Sequence, residues 1–327
     1  MRKKTIIQFL LRLAAFCLLL VLSDRLLGFV FSKLYFSQEV GQFHQTTYAV
    51  DSARQDILIF GSSRAVRHYD TDSIATATGM STYNAGRDGQ MIPYAAAVEE
   101  IALKRNRPKL VILDINAWEL ADNPSKYEKL TILLPYYDKH PELKTYLSEI
   151  SPFETYKLYS KVYPFNSSIF ILASNALFPA SAKKDANGYL PLDAVMTPAF
   201  LKEYKGNMEV RYQKIKNKEE KPDQKAIGYY KKFLDATAAA HVPTLVVISP
   251  TVIKDPFILD NQEKEKQLVK DIATAYPQVT FLDYSADPRF YDHPEKFSDA
   301  FHLNRQGASE FSADLARYLA SHFRAIH

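Results

Sequence analysis

The chain has 327 residues, of which 47% are hydrophobic and 24% charged, the balance of a globular protein with room for one large domain or two small ones. Its formal net charge is only +4, and part of that excess sits in Arg2, Lys3 and Lys4, so composition argues against a basic nucleic-acid-binding face. A single cysteine, Cys17, excludes a disulfide framework, a CxxC redox pair and a cysteine zinc cluster.

Residues 5–22, TIIQFLLRLAAFCLLLVL, are apolar except for Thr5, Gln8 and Arg12, and follow a basic start. At 1.5 Å per residue, a run of about 20 residues crosses the hydrocarbon core of a bilayer. Leu22-Ser23-Asp24-Arg25 offers no small-x-small cleavage site. Residues 1–35 are therefore expected to form an uncleaved signal anchor with its stalk. The positive-inside rule puts the basic cluster in the cytoplasm and the rest of the chain outside the cell membrane, periplasmic or extracellular. A cleaved signal peptide or a buried helix is the alternative, and Arg12 is the residue that speaks for it, since a mid-span charge costs about 2.5–3.5 kcal/mol.

The helical pattern continues through DRLLGFVFSKLYF and then turns polar, and the folded domain is expected over 56–327. Apolar, β-branched runs mark strands at 56–61, 81–86, 109–116, 243–250 and 279–285. Helical spacing fills 91–106, 224–240 and 262–275, and a closing helix runs from about Arg305 to His327. Strands alternating with helices imply a parallel sheet covered on both faces. Residues 118–225 break the rhythm and read as an insertion or cap rich in tyrosine, proline and asparagine. Within it, Tyr127, Tyr136 and Tyr137 suit either packing or stacking on sugars, and NKEEKPDQK (217–225) reads as a solvated segment.

In open parallel sheets ligands bind beyond the carboxyl ends of the strands. Gly61-Ser62-Ser63-Arg64 follows the first strand, Asn84-Ala85-Gly86-Arg87-Asp88-Gly89 the second, and Asn116 the third. Ser298-Asp299-Ala300-Phe301-His302 precedes the last helix. Taken singly, each of these is as readily a turn or a helix cap. Together they resemble the SGNH (GDSL-like) hydrolases, which share a first-strand serine turn, an N-x-x-x-x-G segment, an Asn after the third strand and a terminal D-x-x-H. The match covers 56–116 and 243–327. It implies a flavodoxin-like three-layer α/β/α fold of about five parallel strands, with Ser63 as nucleophile and Asp299 and His302 completing a triad. It also implies the Ser63 and Gly89 backbone N–H groups and the Asn116 amide as oxyanion donors. Ser62 stands where the family commonly has Asp, which leaves two serines as candidates.

Arg64, Arg87 and Trp118 are further candidates for substrate contact, although surface exposure or pairing with Asp88 is the plainer account of the arginines, and core packing that of the tryptophan. Asp114 reads as structural. No metal or organic cofactor is expected, because His, Asp and Glu show no ligand-spaced cluster. The resemblance and the anchor together imply an esterase or O-acyltransferase acting on an acylated glycan or polymer of the cell envelope, with a membrane-bound O-acyltransferase as a possible partner. A catalytically idle module that binds glycan or scaffolds such a complex is the alternative.

Overall fold

A computed structural model describes residues 2–177, 187–215, 221–253 and 259–323. Part of the predicted solvated segment, 217–220, lies outside the described residues. The chain forms two compact units, residues 1–44 with 130–183, and residues 45–129 with 184–327.

The first unit begins with α1 (Arg2–Phe36). Its span Lys3–Phe36 has a mean hydropathy of 2.4 over its most apolar 18-residue window, none of it buried, so by length and composition it can cross a membrane. Near its end Tyr35 is 2% exposed, ringed by Phe43 at 4.9 Å, Phe165 at 5.6 Å and Tyr136 at 5.9 Å between centroids. Tyr136 donates to the Tyr35 hydroxyl at 3.3 Å, so this expected cap tyrosine is a packing residue. Helix α2 (Gly41–Asp51) runs across the boundary between the units.

In the second unit, β1 (Ile57–Phe60) leads into α3 (Ser63–His68) and α4 (Thr71–Thr78), then β2 (Thr82–Asn84), α5 (Ile92–Arg105) and β3 (Leu110–Asp114). The expected insertion is divided: α6 (Ser125–Glu128) and α10 (Pro198–Ile215) belong to this unit, while α7 (Lys144–Leu147), α8 (Glu154–Lys157) and α9 (Ile169–Leu177) belong to the first. After the insertion come α11 (Gln224–Ala239), β4 (Thr244–Ile248), α12 (Leu259–Thr274), β5 (Val279–Asp283) and α13 (Arg305–His322).

All five strands are parallel, in the order β2-β1-β3-β4-β5, the doubly wound arrangement of flavodoxin-like sheets. Alternation sorts the side chains. Ile57, Ile59, Leu110, Ile112, Leu245 and Val247 join one core with Phe311, Leu315 and Leu319 of α13. On the opposite face Phe60 meets Phe233 of α11 edge to face, 5.6 Å between ring centres, and α5 packs beside α11. Sheet and helices thus form three layers, with strand runs apolar on both faces.

The chain leaves and re-enters this sheet through a stitched neck. Ala121 pairs with Pro222 in an antiparallel bridge, Asp223 N–H donates to Leu120 O at 2.7 Å, and Asp122 N–H to Lys221 O at 3.2 Å. At the far end of the excursion the chain returns along β2, where Asn84 N–H donates to Asn187 O at 2.9 Å.

The turn after β1 depends on Gly61, whose φ is +147° and whose added Cβ would lie 2.5 Å from the Asp114 carbonyl oxygen. A side chain there meets both backbone strain and a rigid neighbour. Gly61→Ala is expected to lower stability by roughly 2–3 kcal/mol, read as a fall in the thermal midpoint of the full chain.

Candidate active site

Order β2-β1-β3 reverses the winding direction at β1, the point at which open sheets leave a crevice between the loops leaving the two strands. The serine turn and Asn116 lie at this point. Ser62 is the N-cap of α3 and accepts the Arg64 N–H at 3.4 Å. Ser63, the first helical residue, instead meets His302, with Oγ 2.8 Å from Nε2. The two candidate serines thus stand in different positions, one capping a helix and one on an imidazole.

His302 is carried on a loop closed by an antiparallel bridge between Phe297 and Leu303 and by Ser298 N–H donating to His302 O at 2.8 Å. Asn304 then caps α13 by accepting Gly307 N–H at 3.0 Å. Inside the loop, Asp299 Oδ1 accepts the N–H groups of Phe301 (2.8 Å) and His302 (3.0 Å). This folds the carboxylate back onto His302 Nδ1, at 2.9 and 3.0 Å from its two oxygens. A carboxylate only accepts, so Nδ1 carries the proton and Nε2 is left to accept from Ser63 Oγ–H. Burial works to raise the Asp299 pKa, but it is outweighed by the hydrogen bonds and charge of His302 and by the two N–H groups, and the carboxyl sits below its usual range.

Arg64 is buried. Its Nε donates to Ser249 Oγ at 3.1 Å, one terminal nitrogen to the carbonyl oxygens of Ser249 and Pro250, and the other to Asn116 Oδ1. A guanidinium cannot accept, so the Asn116 carbonyl must face Arg64 and its NH₂ must face the serine turn. Asn116 Nδ2 stands 3.5 Å from Ser62 Oγ. Asp114, at the end of β3, accepts from Tyr69 Oη at 2.7 Å; burial raises its pKa against the pull of Arg64 and its hydrogen bonds.

Gly89 lies in the loop after β2 at φ +74°, and that loop is tied to the serine turn by Arg87 N–H donating to Gly61 O at 3.1 Å. Arg87 itself is buried, and its Nε and one terminal nitrogen have no hydrogen-bond partner among the described residues. The ion pair of Asp88 is made with Arg67. Trp118, in the turn Ala117–Leu120, lines a small cavity of about 50 Å³ with Arg64, Asn116, Tyr204, Ile253 and Phe301. Tyr204, from α10, meets Phe301 edge to face at 6.0 Å, so the insertion contributes to this wall.

Three supports of the site are absent from the sequence reading. His68, fully buried, accepts Leu303 N–H at Nε2 (3.0 Å) and faces Ser249 Oγ through Nδ1 (2.9 Å). Burial, then the charges of Arg64 and His302, drives its pKa well below the ordinary value, so it braces the His302 loop as a neutral ring. Ser249 follows the last residue of β4, and that strand-end position is the signal by which it could be found. The third support, Glu119, stands three residues after Asn116, and that capping-box spacing is its signal. It is buried, accepts Asn116 N–H at 3.2 Å and Ile92 N–H at 2.8 Å, and so ties the Asn116 turn to the start of α5.

No protein-family model matches the chain, and no curated protein matches it. Among solved structures, one from Streptococcus pneumonia, described as a platelet activating factor, is similar at 12% identity and a TM-score of 0.39, covering 85% of this chain and 90% of that one. So distant a likeness carries no argument, and the functional reading rests on the geometry.

Burial pushes the Glu119 carboxyl up to about 7 against the two N–H groups it accepts. A carboxyl whose folded-state pKa lies above its unfolded value near 4.5 binds its proton more tightly when folded, so its contribution is complete below that value and is lost as pH rises to about 7. Thermal midpoints measured across this window should decline with pH in the native chain and decline less in Glu119→Gln.

Proposed function

We propose that this chain is a membrane-anchored serine esterase or O-acyltransferase of the SGNH type, acting on acyl esters of a glycan outside the cytoplasmic membrane. The observation that carries the reading is the hydrogen-bonded line from Ser63 Oγ through His302 to Asp299, at a strand-end crevice with an amide turned toward it.

In this reading Ser63 Oγ attacks the ester carbonyl and its proton passes to His302 Nε2. The carbonyl oxygen takes the negative charge, held by the Ser63 and Gly89 N–H groups and the Asn116 NH₂. Collapse breaks the ester C–O bond, and His302 returns the proton to the leaving alkoxide. Water or a sugar hydroxyl then attacks the acyl-serine with His302 again as base. Asp299 holds the imidazole tautomer throughout. Arg64 is a positioning residue: it fixes which end of the Asn116 amide faces the reacting carbon. Its guanidinium is buried and hydrogen-bonded to Ser249, Pro250 and Asn116, and it lines the adjoining cavity together with Trp118 and Phe301. The anchor favours an acyl-transfer role beside a membrane-bound acyltransferase, and the basic N-terminus favours an extracytoplasmic domain.

A fluorophosphonate probe should label the native chain and Ser62→Ala but not Ser63→Ala, and p-nitrophenyl acetate turnover should collapse in His302→Ala. Labelling in none of these would sink the enzyme reading in favour of a binding module. Asn116→Ala should lower kcat by about 10²–10³-fold. Because Arg64 acts through that amide, Arg64→Met should also lower kcat, yet add little in the Asn116→Ala background; additive losses in this double-mutant cycle would separate the two residues.

A further inference from the structure

In the unit formed by residues 1–44 and 130–183, the second half of α1 is built into the fold. Asp24 accepts Lys161 N–H at 2.9 Å, Val162 N–H at 3.3 Å and the Ser160 hydroxyl. Arg25 donates to Tyr159 O at 2.7 Å. One turn later Gly28 presses against Lys161, where an added Cβ would lie 2.4 Å from the Lys161 Cβ. Residues 159–162 are thereby fixed at one height on the helix, just past the apolar run 5–22. That run, at 1.5 Å per residue, is about as long as the hydrocarbon core is thick.

Around this height the unit exposes apolar and aromatic side chains. Tyr159 is 74% exposed and Tyr156, three residues before it, 67%, and α1 itself leaves Leu26 and Phe29 uncovered beyond Asp24. Lys157 and Lys161 lie among the tyrosines, both part-exposed and ion-paired to Glu154 and Asp138. A cavity of about 270 Å³ with walls from Phe29, Phe36 and Leu158 and a rim from Arg25, Lys139 and Lys161 opens in the same unit. In water this surface is costly. Tyrosines and long cationic side chains beside an apolar band match the headgroup layer of a bilayer, where rings and amphipathic stems have one end apolar and one end wet.

We infer that this unit rests on the phospholipid bilayer that α1 crosses, with Tyr156 and Tyr159 seated in the headgroup region of the leaflet where the helix emerges. The inference rests on the reading of α1 as a retained span. Its occupant is the bilayer rather than another protein because the exposed aromatics are fixed to the helix at the point where its hydrocarbon-length run ends.

The test uses the full chain in phospholipid vesicles, with Trp118→Phe removing the single native tryptophan and Tyr159→Trp supplying a reporter. Flotation with the vesicles checks the anchor first. In chains that float, fluorescence of the indole introduced at position 159 should be blue-shifted, shielded from iodide, and quenched about twofold by phospholipids brominated near the headgroup end of their acyl chains. Tyr156→Trp in the same background should behave alike, which guards against a local disturbance at one site. Water-like emission with full iodide quenching at both positions overturns the inference and leaves the span intact. Failure to float overturns both.

Discussion

One buried cation organises the carboxyl edge of this sheet. Arg64 reaches from the turn after β1 to the end of β4 and to the turn after β3, joining three separate strand ends through hydroxyl, carbonyl and amide oxygens. Taking a guanidinium out of water is expensive, and the cost is bearable only when its donors are engaged. The same engagement sets the direction of the Asn116 amide. Removing Arg64 would therefore do more than leave a hole: it would free the amide to turn and would strand the carbonyls of Ser249 and Pro250. The positions of three strand ends are thus coupled through one buried side chain.

The histidine loop is held by a second, neutral device. His68 sits behind it and takes the Leu303 N–H, one residue past His302. A charged ring there would have two like charges nearby and no acceptor role to offer Leu303, so the brace works only in its uncharged form. The two histidines lie 6.3 Å apart between ring centres and nearly perpendicular. One imidazole is kept inert by burial while the other, on the crevice side, meets a hydroxyl and a carboxylate.

Much of this is legible in the sequence because it is local. Short apolar runs mark all five strands, and their parallel arrangement follows from the intervening helices. Asp299 and His302 are three residues apart on one loop, so their pairing can be drawn from spacing. Asn116 and the serine turn stand out because strand ends are where open sheets place chemistry. The rest depends on contacts between residues far apart in the chain. Nothing near Arg64 in sequence announces Ser249, 185 positions away, and an arginine beside a serine turn reads as readily as a solvent-facing group. Asp88 lies next to Arg87 in the chain yet pairs with Arg67, because the loop after β2 folds over the first helical turn. The insertion is opaque for another reason: its helices are short, and its aromatic residues pack with α1 from the far N-terminus, as Tyr136 and Phe165 do with Tyr35.

The stitched neck gives the insertion a freedom that the sheet lacks. Leu120 and Asp223 are hydrogen-bonded to each other, Lys129 O is held by Gln90 at 3.2 Å, and the returning chain is pinned at Asn187 by β2. The ends of the excursion are therefore fixed by the sheet unit whatever lies between them. Closing a loop costs only about 0.6 kcal/mol for each doubling of its length once its ends are held, so a change of length between Lys129 and the return at Asn187 costs the closure little while Asn116 keeps its place.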